Sequence, residues 1–490
     1  MIEAAGTRAL AFEPAVRLLE RIRRRQIGCR ELLEHYIART ERYGATVNAI
    51  VVRNFDAARE CANAADRALA RGESLGALHG LPMTVKESFN LRGTPTTFGL
   101  REFRDNLAHE DAVAVARLVR AGAVIFGKTN VPPGLMDGQS ANELYGRTNN
   151  PWNPARTPGG SSGGSAAALA AGLTGLELGS DIASSIRNPA HYCGVFGHKP
   201  TFGICPQRGH MLTDTLQATD LAVVGPLGRS AADLELALSV IAGPCGAEAR
   251  AWSLELPPPT AVGLADFRVA VVLDDAFAEV DRSVERELAK LADFLVQAGA
   301  RVEHATRPSF DSGELYRLYM VLLRAAGSAG IADEEFAREQ ALAHGAHRAT
   351  REMARLNAYG ATLTHRDWLR LDEERLRNRA KWIEFFERVD LLLCPTLSTA
   401  AFPHSTVSPA ERTLVVNGRE VPFENQLLWA GLASLSYLPA SVAPIGLTAE
   451  GLPVGVQVIG APYADLTCLR FARLLEERYR AFVPPPGFSA

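Results

Sequence analysis

The chain has 490 residues, of which 47% are apolar and 22% charged, enough material for a sizeable core and unlike a disordered or fibrous class. A net charge of −3 and a pI near 6.4 give no electrostatic basis for nucleic acid or an anionic membrane as partner. No uncharged stretch reaches the roughly 18 to 20 apolar residues of a membrane span, and no apolar leader follows a basic start, so a cytoplasmic location is expected.

In chain order, residues 13–42 show two helical patterns separated by Gly28, and the basic run Arg21, Arg23, Arg24 and Arg25 reads as a solvated helix face. Residues 47–53 read as a short strand and 56–71 as an alanine-rich helix closed by Gly72. Residues 81–85 are an apolar strand whose end presents a single lysine, Lys86. An amphipathic helix over 110–120 ends at Gly122, and 123–126 is a buried strand. The stretch 122–129, GAVIFGKT, satisfies the phosphate-loop pattern G-x-x-x-x-G-K-[ST]. The Ala-Val-Ile-Phe between its glycines favours strand, however, and Val131-Pro132-Pro133 blocks the helix such a loop needs. Lys128 is therefore expected to be structural. Residues 134–158 form a long polar loop expected to wall a substrate site, with Gln139, Ser140 and Asn142 as candidates for polar substrate contacts or for loop capping.

The stretch 157–201 carries the densest chemistry. It holds an unbroken glycine and serine run at 159–165, a helix-like apolar segment at 166–173, a strand-like one at 176–179, and a second serine cluster at Ser184 and Ser185. Small residues at this density let backbone approach something closely. Gly159 to Gly163 also fits G-x-S-x-G, but the preceding NPWNPARTP cannot be the strand that motif requires. Nor do His191, His198, His210 or His304 lie in a distinctive setting. Asp181 and Arg187 flank the second serine cluster with opposite charge, and their pairing with each other, or their hydrogen bonding to the loop backbone, is expected to keep that turn rigid. The seven cysteines are scattered without Cys-x-x-Cys spacing, which argues against a disulfide framework or a zinc site. Each is expected to be a small buried apolar residue, with Cys193 a candidate to line the site.

Residues 221–226 read as a strand and 231–242 as an apolar helix, followed by a proline-rich seam at 254–261. A strand at 267–273, a helix at 281–298 and a strand at 300–305 form a βαβ unit. Residues 310–390 are mostly helical and are expected to be an insert near the substrate site. Strands at 390–394, 437–443 and 454–459 precede a closing helix at 464–480.

A serine hydroxyl is a poor nucleophile until a base takes its proton. The GGSSGGS block, the Asp-Ile-x-x-Ser-Ile-Arg block about 24 residues later and the upstream Pro-x-x-x-Lys resemble the amidase signature family of serine hydrolases over residues 25–245. The resemblance implies Ser185 as nucleophile, Ser161 as a bridging serine after a cis peptide bond from Gly160, and Lys86 as buried base. It further implies an oxyanion hole from the backbone N–H groups of Ile182, Ala183, Ser184 and Ser185, and no metal or organic cofactor. A lysine drawn out of water is pushed towards its neutral form, so the chemistry is self-consistent. Ala183 and Ser184 depart from two glycines usual in the family, and Glu87 stands where many members have Asp.

The alternating elements give an α/β protein. To this the resemblance adds one large mixed sheet surrounded by helices, in a single domain over 1–490 although the length prior suggests about three. The wording KESFN and RNPAHYCGVFGHKPT is similar to the bacterial broad-specificity, urethanase-like branch. The expected activity is hydrolysis of small aryl amides or carbamates, by a monomer or homodimer. The alternatives are a degraded, ligand-binding relative or a glutamine-dependent tRNA amidotransferase A-type subunit.

Overall fold

The computed structural model describes residues 10–212, 215–344 and 352–488. Its strands are β1 (Ile50–Arg53), β2 (Pro82–Lys86), β3 (Val124–Thr129), β4 (Ala141–Asn142), β5 (Gly146–Arg147), β6 (Glu177–Asp181), β7 (Phe196–Lys199), β8 (Val223–Gly228), β9 (Arg268–Val271), β10 (Arg301–His304), β11 (Leu391–Pro395), β12 (Thr413–Val416), β13 (Arg419–Pro422), β14 (Ala440–Leu447) and β15 (Pro453–Gly460). Eleven of them form one sheet in the order β1-β3-β2-β6-β8-β7-β14-β15-β11-β9-β10. β2 runs parallel to both β3 and β6, and β9 parallel to β10 and β11, while β8, β7, β14 and β15 join these groups by antiparallel pairs. The expected single mixed sheet is thus present. Every residue of β2, β3, β6, β7, β8, β11 and β15 is buried, as expected of strands covered on both faces.

The seam at 254–261 has no regular structure, yet the sheet runs across it, because β14 and β15 lie between β7 and β11. The βαβ unit forms as expected, with β9 and β10 parallel around the helix Arg282–Gln297. Among the described residues no helix is long and apolar enough to cross a membrane.

The differences from expectation have local causes. The second N-terminal helix, Cys29–Val47, takes in Val47, so the strand starts only at Ile50. The phosphate-loop lookalike lies largely within β3, as its strand-favouring residues require. The polar loop contains the short β4–β5 hairpin. The helix after the glycine and serine run spans Gly163–Ala170, beginning inside the run itself. A β-carbon at Gly164 would overlap the backbone of Asn130, so glycine here serves close packing rather than flexibility. An unexpected helix, Arg187–Cys193, follows the second serine cluster, and Pro189 is tolerated because it sits in the first turn, where backbone N–H groups lack helical partners. Residues 310–390 contain the helices Ser312–Ala326, Asp333–Ala343, Glu352–Ala361 and His365–Arg388; 345–351 lie outside the described residues.

Candidate active site

β2 and β6 are neighbours in the sheet, so the lysine at the end of one meets the turn that leaves the other. Lys86 is fully buried, and its Nζ lies 2.6 Å from Ser161 Oγ and 2.9 Å from Ser180 Oγ. Burial pushes the Lys86 ammonium down to about 7, with the Asp181 carboxylate acting the other way. The peptide bond between Gly160 and Ser161 is cis. Ser162 N–H donates to Ser185 O at 3.1 Å, which ties the first serine cluster to the second. Ser185 retains 5% exposure, and its hydroxyl bonds to no described side chain.

The turn 182–186 is held from within. Asp181 accepts from the backbone N–H groups of Ser184, Ile186 and Arg187, at 2.9, 3.0 and 3.2 Å. The expected pair forms, with Arg187 Nη2 2.8 Å and Nε 3.0 Å from the Asp181 oxygens, both side chains being fully buried. Although burial alone raises an acid, the Arg187 guanidinium holds Asp181 down at about 2. Arg187 also donates to Ala430 O, Gln457 Oε1 and Ser434 Oγ, so the turn is braced against β15 and the helix Leu427–Ser434.

Of the four backbone amides expected to face an oxyanion, that of Ser184 is taken by Asp181. Those of Ile182, Ala183 and Ser185 donate to no described residue, and Ile182 and Ala183 are partly exposed. Ser184 takes φ +77°, so the left-handed backbone that favours glycine survives there with a side chain in place, whereas Ala183 needs no such φ.

The structure places Gln139, Ser140 and Asn142 in hydrogen bonds that hold the loop. Gln139 bridges Asp137 and the Ser405 backbone, Ser140 Oγ donates to Gly159 O and accepts from Gly163 N, and Asn142 spans Asn130, Val131 and Tyr145. Cys193 Sγ donates to Pro158 O at 3.4 Å and is fully buried, so it ties the helix Arg187–Cys193 to the segment leading into Ser161. Lys128 is structural as expected, bonding Pro95 O and Thr96 Oγ1. His198 contacts Ser441 and Asp465, a serine–histidine–acid arrangement that is sealed in the core and remote in its bonds from Ser161 and Ser185.

Ser180 and Tyr319 carry no signal in the sequence. Ser180 gives Lys86 a second hydroxyl, and the Tyr319 hydroxyl donates to Ile182 O at 3.0 Å. Tyr319 belongs to the helix Ser312–Ala326, so one helix of the 310–390 region touches the serine turn.

Residues 31–469 match the Amidase family model. The chain is 31% identical to human fatty-acid amide hydrolase 2, across 98% of this chain and 92% of that protein. It is 32% identical to the A-type subunit of the glutamyl-tRNA(Gln) amidotransferase from Anaeromyxobacter dehalogenans (strain 2CP-C), across 94% and 95%. Among solved structures it is similar to a bacterial aryl acylamidase, with 26% identity, a TM-score of 0.77 and coverage of 95% and 96%. A match running from the second N-terminal helix into the last one, with relatives of nearly equal length, shows that the chain belongs to the amidase signature family, hydrolases of C–N amide bonds.

Proposed function

We propose that the chain hydrolyses small aryl amides or carbamates through a serine acyl-enzyme, with Ser185 as nucleophile, Ser161 as proton relay and Lys86 as base. The observation that carries this reading is the 2.6 Å approach of Lys86 Nζ to Ser161 Oγ in a place that holds the amine near neutrality at about 7. Ser185 Oγ attacks the carbonyl carbon and passes its proton to Ser161, whose own proton goes to Lys86. The amides of Ile182, Ala183 and Ser185 receive the developing oxyanion. The ammonium of Lys86 returns the proton through Ser161 to the leaving nitrogen as the C–N bond breaks. Water then attacks the acyl-enzyme, losing its proton through Ser161 to Lys86, and that proton returns through Ser161 to Ser185 Oγ as the acyl–oxygen bond breaks.

In this reading Gln139, Ser140 and Asn142 support the wall of the site, and Asp181 and Arg187 fix the turn. The protein works as a single chain in the cytoplasm, monomer or homodimer, on a small molecule, with no nucleic acid or membrane partner and no cofactor. The amidotransferase A-type subunit, similar over nearly its whole length, supports a second reading in which released ammonia passes to a partner. Purified single chain assayed on chromogenic anilides, esters and carbamates separates the two. Hydrolysis of anilides or carbamates, lost in Ser185→Ala and Lys86→Ala, is the expected result; inactivity of the lone chain on all of them favours the amidotransferase reading.

A further inference from the structure

Gln426 closes the short turn Phe423–Gln426 and opens the helix Leu427–Ser434. It is 2% exposed, and its Nε2 and Oε1 are both buried without a hydrogen-bond partner. Among the described residues no other side chain leaves two such atoms unpaired. A buried amide is disfavoured unless both ends are paired, so this one asks for a partner from outside the protein.

The elements that hold Gln426 also hold the serine turn. One helical turn beyond it, Ala430 O accepts from Arg187 Nη1 at 3.0 Å. Two residues before it, Glu424 Oε1 accepts from Arg324 Nη2 at 2.8 Å, and Arg324 shares a helix with Tyr319, which reaches Ile182 O. Phe423 closes against Gly138, where a β-carbon would stand 2.8 Å from the ring and 3.3 Å from Asn188 Nδ2. Asn188 Oδ1 and Ser184 Oγ, on the serine turn and the helix after it, are likewise buried and unpaired. Gln426, Asn188 and Ser184 thus leave buried polar atoms unpaired on elements joined to the serine turn, and Gln426 alone leaves two.

We infer that Gln426 is a specificity residue of the Ser185 site, recognising a second amide-like edge on the substrate, an adjacent N–H and C=O such as a carboxamide or ureido group. The inference rests on the serine hydrolase reading given above. A glutamine amide meets another amide edge by one donated and one accepted hydrogen bond, and a primary carboxamide on the substrate can turn over to match either orientation of the side-chain amide. An alkyl group in the same place leaves both atoms unpaired, so selectivity comes chiefly from rejecting isosteres that lack the edge.

The test compares the 4-nitroanilides of succinamic acid and of 4-methylpentanoic acid, which differ by a carboxamide in place of an isopropyl group. The native enzyme should favour the first by about tenfold or more in kcat/KM. Gln426→Met should bring the ratio to about one, keep hydrolysis of the alkyl anilide, and raise Tm because an unpaired buried amide is removed. A second arm needs no turnover: N-phenylsuccinamide should raise the Tm of Ser185→Ala protein and fail to do so once Gln426→Met is added. An unchanged ratio, equal ligand-induced shifts, or a lower Tm in Gln426→Met overturns the inference, since water or the protein itself then pairs the amide. Anilide hydrolysis that survives Ser185→Ala, or is absent from the native enzyme, contradicts the serine reading instead, and the Tm arm then decides the role of Gln426.

Discussion

At Ser184 two unfavourable features meet in one residue: a left-handed backbone at φ +77° and a buried hydroxyl with no partner. The first disfavours any side chain by about 1 kcal/mol, and the second adds a desolvation cost of about 1 kcal/mol or more. Glycine loses more freedom on folding, which offsets roughly 0.5–1 kcal/mol. Ser184→Gly is therefore expected to stabilise the protein by about 1 kcal/mol in urea unfolding; a loss of stability would mean that the hydroxyl is paired in solution. At Arg187 the balance is reversed. Its guanidinium is the charge that compensates Asp181 in a fully buried setting. Arg187→Met leaves that carboxylate unpaired and is expected to destabilise by about 3–5 kcal/mol. Thermal unfolding checks this, and an unchanged Tm would show that the turn is held by its backbone bonds alone.

The element that most depends on small residues is the helix Gly163–Ala170, every residue of which is buried. Intrinsic propensity favours alanine over glycine in a helix by about 1 kcal/mol. At Gly164 packing decides otherwise, since a β-carbon would overlap backbone atoms of Asn130, which can shift only with the end of β3. Overpacking of this kind costs about 1–3 kcal/mol. Gly164→Ala is thus expected to lower stability and, by moving the segment that carries Ser161, to lower kcat as well. A stabilised and fully active Gly164→Ala protein would show that the run is glycine-rich for some other reason.

Across the whole molecule, one sheet takes strands from both sides of the proline-rich seam, with β14 and β15 placed between β7 and β11. β7 of one half and β14 of the other are paired on both sides only when the halves meet, so calorimetry is expected to show a single cooperative transition; two resolved transitions would contradict this. Much of this architecture was legible because strand and helix periods alternate and because Lys86, Ser161 and Ser185 each stand in short, distinctive runs. Legibility failed where long-range contact decides. Ser180 looks like any strand serine until β2 brings Lys86 beside it, and Tyr319 gains meaning only from its bond to the serine turn. The helix Arg187–Cys193 was obscured by Pro189, whose harmlessness depends on its place in the first turn.

In the proposed mechanism a neutral Lys86, acting through Ser161, activates Ser185. The rate at which a fluorophosphonate labels Ser185, followed by peptide mapping across pH, tests it most directly. Because burial lowers the Lys86 ammonium to about 7, the base is protonated and idle below that pH and free above it. Labelling at Ser185 should rise with pH through a midpoint near 7 and level off, and it should fall by about a hundredfold or more in Lys86→Ala and in Ser161→Ala. A rate indifferent to pH across that range and to both substitutions, or an adduct on a serine other than Ser185, would contradict it.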